Sequence, residues 1–227
     1  LNRIFLHCIA VFFFLAATSA ASELTFEQAL TWAQVPGGDA KDIAFGADNS
    51  VWLVGAGTGT GGNRIYRWSP STYSWEFMGG HGERIAVDPQ GHAWIVQSAA
   101  VGGQIWRYNG SGWTKLAGGA AIDIGIGANG AVWLVGAGTG TGGNKLYRWD
   151  DNAEAWGFME AYGTRVAVAT DGTPWIVQDN GYILRYTGSG WVGNIGGDAT
   201  DITFGGDNSV WITTGEDGSP WKWDPSA

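Results

Sequence analysis

Residues able to take part in chemistry are sparse in this chain. Beyond residue 21 it holds two histidines, His81 and His92, and no cysteine, because the single cysteine is Cys8. Thiolate catalysis and thiolate metal binding are therefore excluded there, and packing alone must hold the fold together. Two identical segments, Gly-Ala-Gly-Thr-Gly-Thr-Gly-Gly-Asn at 55–63 and 136–144, are the most unusual feature. Gly55, Gly57 and Gly59 imitate a glycine-rich nucleotide loop, but that chemistry needs a helix N-terminus after the glycines, and strand-like sequence follows instead. What the segments do offer is Thr58, Asn63, Thr139 and Asn144, whose hydroxyls and amides suit a polar ligand; equally, asparagines of this kind hold turns in plain connectors. Arg67, Arg107, Arg148, Arg185 and Lys222 recur at one position of a repeat, which points to structural pairing rather than five reaction centres.

The repeat is what must position these groups. Aligning on Trp32, Trp75, Trp113, Trp156 and Trp191 gives spacings of 43, 38, 43 and 35. Each unit carries four short runs rich in Val, Ile and aromatics. In the first unit these are Asp42-Ile43-Ala44-Phe45, a run around Trp52, Ile65-Tyr66-Arg67-Trp68, and Trp75-Glu76-Phe77-Met78 at the junction with the second. Asp-Asn, Asn-Gly and Asp-Gly pairs separate the runs, as hairpin turns require. Four antiparallel strands repeated about every 40 residues define a β-propeller blade, here lettered a to d from the inside outward. The fold expected is all-β, a propeller of five repeats covering 22–227, opening near residues 32, 75, 113, 156 and 191. The last unit has runs a, b and c only, while Thr31 to Val35 reads as a strand d without a blade, so the N-terminal strand is expected to close the ring.

The units also alternate. Asp42, Arg84, Asp123, Arg165 and Asp201 begin successive a strands, which sets opposite charges side by side around the central channel but brings Asp201 to Asp42. A sixth blade beginning with Arg would relieve that contact, and N-terminal closure suits five blades or six.

Glycine (39 of 227 residues) and tryptophan (15) are abundant, while charged residues make up only 15%. Without a G-X-Y period, and with 44% apolar residues, neither collagen nor disorder fits. The net charge of −9 excludes tracking along nucleic-acid phosphates and attraction to anionic membranes. Residues 1–21 read as a secretory signal, with Arg3 before the apolar run Ile4 to Leu15 and small residues Thr18-Ser19-Ala20 after it. That run is too short to span a bilayer, so a secreted, extracellular or periplasmic protein is expected.

The units, with W-x-x-(V/L/M) leading into Gly-Gly, D-I-x-(F/I)-G-x-(D/N), V-W-(L/I) and I-Y-R-W, resemble tectonin repeats, from which secreted lectins of invertebrates, fish eggs and fungi build propellers. That family usually has six repeats. Unit four departs from the pattern with Leu184 in place of Tyr or Trp. The resemblance implies binding of surface glycans, bacterial or methylated, without catalysis, cofactor or metal. Sugars stack C–H faces on aromatic rings and need fixed polar partners. Propeller geometry gathers the b–c and d–a connections on one face, so the candidate ligand-binding residues are Thr58, Asn63, His81, Trp106, Thr139, Asn144 and Tyr162. Two alternatives stand beside the lectin. One is a protein-interaction scaffold. The other is a lyase, because the stretch Val87 to Trp94 is similar to blades of virginiamycin B lyase; its two histidines, His81 and His92, fall on opposite faces.

Overall fold

Short runs of β-branched and aromatic residues broken by tight turns leave the chain few ways to bury its tryptophans other than stacked small sheets. A computed structural model shows five such sheets, and describes residues 34–193, 195–215 and 217–224. Blade one is β1 (Ala40–Phe45), β2 (Val51–Gly59), β3 (Gly62–Ser69) and β4 (Ser74–Gly82). Blade two is β5 (Arg84–Val87), β6 (Ala93–Val96), β7 (Ile105–Tyr108) and β8 (Trp113–Lys115), with one 3-10 turn at Ala99–Val101. Blade three is β9 (Asp123–Ile126), β10 (Val132–Gly140), β11 (Gly143–Asp150) and β12 (Ala155–Gly163). Blade four is β13 (Arg165–Val168), β14 (Pro174–Val177), β15 (Ile183–Tyr186) and β16 (Trp191–Val192), and blade five is β17 (Ala199–Phe204), β18 (Val210–Thr214) and β19 (Pro220–Lys222).

Every blade is antiparallel in the order a-b-c-d, and blade five has three strands among the described residues. The protein is thus an all-β, five-bladed propeller, as the repeat predicts. Its inner strands β1, β5, β9, β13 and β17 line the central channel. The expected signal at 1–21 and the closing residues Thr31 to Ala33 lie outside the described residues. Pro36–Ala227 is one compact unit, and of the unit before it only Gln34 and Val35 are described.

The core lies between blades. Trp52, Val54 and Ile65 of blade one pack on Ile85, Val87 and Ile95 of blade two, and the same layers repeat around the ring. Each strand-b indole carries a strand-c cation, from Arg107 over Trp94 at 5.0 Å to Arg185 over Trp175 at 5.7 Å. That is the structural pairing expected of the five recurring cations. Indoles of strand d bind across the interface: Trp113 Nε1 donates to the Met78 carbonyl at 2.8 Å, Trp156 Nε1 to that of Ala117 at 2.9 Å, and Trp191 Nε1 to that of Met159 at 2.8 Å. The seam between blades five and one is the most open. Ile43 and Phe45 are 52% and 66% exposed and Trp211 is 40% exposed, whereas their counterparts Ile85, Val87 and Trp52 are buried.

The segments 55–63 and 136–144, whose glycines suggest b–c connectors, are mostly strand. Gly55–Gly59 and Gly136–Gly140 continue strand b, Gly62-Asn63 and Gly143-Asn144 begin strand c, and only two residues turn between them. Glycine-rich sequence looks like a connector, but Thr58 pairs with Asn63, Gly59 with Gly62, Thr139 with Asn144 and Gly140 with Gly143, so both segments are hairpins. Blades one and three consequently have nine-residue b strands, while blades two and four have four-residue ones.

Candidate functional site

The two hairpins project on the face that carries the b–c and d–a connections, and each draws part of strand d against it. In β3–β4, Arg64 pairs with His81, and a Cβ at Gly59 would collide with the His81 ring. Lys145 pairs with Tyr162 in β11–β12, and Gly140 is held to glycine by the Tyr162 ring in the same way. Each hairpin thus carries one group of the expected residues, Thr58, Asn63 and His81 on blade one and Thr139, Asn144 and Tyr162 on blade three, but the register sets the paired threonine and asparagine on one side of the sheet and His81 or Tyr162, with Arg64 or Lys145, on the other. Within these groups Thr58 and Thr139 are exposed, His81, Tyr162 and Asn144 are half-buried, and Asn63 is 5% exposed, which suits it to holding the hairpin rather than meeting a ligand. Trp106 joins neither group; it lies half-buried in the interface of blades one and two, paired with Ile95 and Lys115.

The next blade supports each hairpin tip. Ser98 N–H donates to the Gly61 carbonyl at 2.8 Å and Gln97 Nε2 to that of His81 at 3.3 Å. Asp179 N–H and Gln178 Nε2 do the same for Gly142 and Tyr162 at 3.0 and 3.3 Å.

Four residues of this face were not singled out from the sequence. Phe77 lies between Tyr66 and His81, with ring centroids at 5.8 Å from both, and Phe158 lies between Tyr147 and Tyr162 at 5.9 and 5.7 Å. The Arg64 guanidinium stands 5.2 Å from the Phe77 centroid and Lys145 Nζ stands 5.1 Å from that of Phe158. The signal for them was the alternation itself: units one and three share W-x-F-M in strand d, and units two and four have Lys115 and Gly193 at the Phe position.

The central channel holds the alternating charges. Arg84 Nε lies 3.9 Å from Asp123 Oδ1, and Arg165 Nε lies 3.9 Å from Asp201 Oδ1. Burial pushes the Asp123 carboxyl up to about 7, against the pull of the Val166 amide, Arg165 and Arg84. Asp42 is also raised by burial, with a smaller push from Asp201. The opposite face holds His92, whose Nδ1 is 3.4 Å from the buried Asp88 carboxylate, so the two histidines do sit apart. Among the described residues, no three His, Cys, Asp or Glu side chains cluster as metal ligands would.

A cavity of about 930 Å³ lies beside blade five and is walled by Trp175, Ile195, Ile212, Trp221 and Trp223. At the corresponding place in blade two a strand-d indole packs on the strand-c aromatic, Trp113 on Tyr108 at 5.4 Å.

No family model and no curated protein sequence matches the chain. Solved propellers do. YCF48 bound to a D1 peptide superposes with a TM-score of 0.52 at 17% identity, over 81% of this chain and 66% of that one. TolB from Acinetobacter baumannii gives 0.60 at 14%, over 79% and 55%. A gluconolactonase from Xanthomonas campestris gives 0.59 at 14%, over 79% and 70%. The chain thus spans 55–70% of the length of these propellers. At such identities the likeness establishes the propeller scaffold, which these proteins put to different uses.

Proposed function

We propose that the protein is a secreted lectin that binds surface glycans, without catalysis, through the hairpin face of blades one and three. The observation that carries this reading is the duplication of one hairpin, which presents an exposed Thr58 and a half-buried His81 on blade one and an exposed Thr139 and a half-buried Tyr162 on blade three. Hydroxyls and half-exposed rings on one projecting hairpin offer a sugar both polar and apolar contacts. Two copies on one scaffold give weak sites avidity for a surface carrying many identical glycans. No helix among the described residues is long and apolar enough to cross a membrane.

A glycan array probed with the purified protein, including bacterial and methylated sugars, tests the reading. Binding is expected, weakened in Thr58→Ala and Thr139→Ala and weakened further in the double variant. Absence of binding to every glycan at high protein concentration, with tight capture of one protein partner, would replace the lectin by an interaction scaffold.

A further inference from the structure

Phe77 and Phe158 are 48% and 40% exposed with their neighbouring cations in place. Large apolar rings left open at one repeated position form a pattern rather than scatter. The geometry is nearly the same in both blades. Phe77 meets Tyr66 and His81 at interplanar angles of 54° and 65°, and Phe158 meets Tyr147 and Tyr162 at 56° and 64°. The flanking tyrosines are fixed as well, since Tyr66 Oη donates to the Ala56 carbonyl at 3.3 Å and Tyr147 Oη to that of Ala137 at 2.8 Å. The blades that follow these hairpins have b strands of four residues, β6 and β14, against nine in β2 and β10.

Charge gives the second half of the pattern. Lys41, Arg67, Arg84, Arg107 and Arg165 each have a carboxylate within 4.0 Å. Among the described residues Arg64 and Lys145 have none, and neither do Lys115, Arg148, Arg185 and Lys222, but the last three lie over the strand-b indoles Trp133, Trp175 and Trp211, in a chain whose net charge is −9. Arg64 and Lys145 instead each lie over a partly exposed phenyl ring.

We propose that Arg64 with Phe77, and Lys145 with Phe158, are twin subsites for carboxylate-bearing pyranoses, so that the favoured ligands are acidic glycans. This rests on the lectin reading and narrows it to a sugar class. The pyranose C–H face lies on the phenyl ring and the ring carboxylate meets the cation in a charge-assisted contact. The two subsites differ in detail. The Arg64 fork can take both carboxylate oxygens, whereas Lys145 offers a point charge and Tyr162 adds a hydroxyl absent at His81.

Calorimetric titration of the full chain with oligogalacturonate and with its methyl ester tests the proposal, with thermal melting as the folding control. Two sites per chain are expected, with the free acid preferred about tenfold or more, the size of one charge-assisted hydrogen bond. Arg64→Gln combined with Lys145→Gln removes that preference, so that acid and ester bind alike. Phe77→Ala or Phe158→Ala alone lowers the stoichiometry from two sites to one. Equal binding of acid and ester, or a preference that survives the double glutamine variant, overturns the acidic subsites. So does binding of other array glycans with no uptake of oligogalacturonate, and in each case the lectin reading stands. Silence with every glycan overturns both.

Discussion

The Asp123 carboxylate of blade three accepts the Val166 amide of blade four at 2.9 Å. Asp42 of blade one does the same for Ile85 of blade two at 3.0 Å. The hairpin tips follow the same pairing, each resting on the blade after it. Blades one and two, and blades three and four, are therefore modules tied at both the channel and the loop face, which is the physical content of the alternation in the sequence. Arg84 in turn links one module to the next through Asp123.

The buried aspartates set a pH dependence. Burial holds Asp123 at about 7 and raises Asp42, against an ordinary value of 3.8. Between those limits the folded chain keeps a proton that the unfolded chain has released, so stability falls as pH rises from about 4 to about 7. The lowered carboxylates Asp48 and Asp171 act with the opposite sign, but only below their usual range. Urea unfolding in this window is expected to give declining midpoints for the wild type and a flatter profile for Asp123→Asn, which keeps an oxygen for the Val166 amide. Midpoints that climb with pH would contradict the assignment.

Asp88 carries a different load. At the residue following strand a the other blades have Gly46, Gly127, Ala169 and Gly205. Asp88 there accepts the Gln90 and His92 amides at 3.0 and 2.9 Å, Trp94 Nε1 at 3.3 Å and Arg107 Nη2 at 3.1 Å. Removing a buried carboxylate strands its cation, so Asp88→Ala should destabilise by about 3 kcal/mol or more. Asp88→Asn, which preserves an acceptor for the turn amides, should lose less. Chemical denaturation of both variants is the measurement, and a loss under about 1 kcal/mol in the alanine variant would show that Arg107 is content without its partner.

Equivalent tryptophans should not be energetically equivalent. Trp133 is fully buried between blades three and four, while Trp211 occupies the same strand position at the open seam. Trp133→Ala is expected to cost about 3–5 kcal/mol, as large-to-small changes in packed cores do, and Trp211→Ala about 1 kcal/mol. Parallel urea titrations check the difference; similar losses would mean that the seam is closed in solution.

How far the sequence was readable follows from which interactions are periodic. Strand order, turn positions and the alternating Asp and Arg recur every blade or every second blade, so spacing alone exposes them. The hairpins at 55–63 and 136–144 hid behind their glycines: Gly57 and Gly138 do take left-handed conformations, at φ of 87° and 89°, but as irregularities within a pairing that resumes at Thr58 and Thr139. The burial of Asn63 and the exposure of Phe77 were not readable, because both depend on how tall the neighbouring blades are. In a chain with so many aromatics, residue type does not distinguish a core ring from an open one.

The hairpin tips offer a local test of the two-blade module. Gly142 takes φ of 101°, its carbonyl accepts the Asp179 amide at 3.0 Å, and a Cβ there would collide with the Gln178 amide. A side chain in the left-handed region costs roughly 1–2 kcal/mol, and the collision adds to it. Gly142→Ala should therefore loosen the blade-three tip from blade four while the inner strands keep the fold. In hydrogen exchange the Asp179 amide is expected to lose protection and the Ser98 amide, which serves the blade-one tip, to keep it. Glycan stoichiometry should fall at blade three alone. Unchanged protection at Asp179 would show that blade four does not hold the hairpin and that each binding group stands on its own blade.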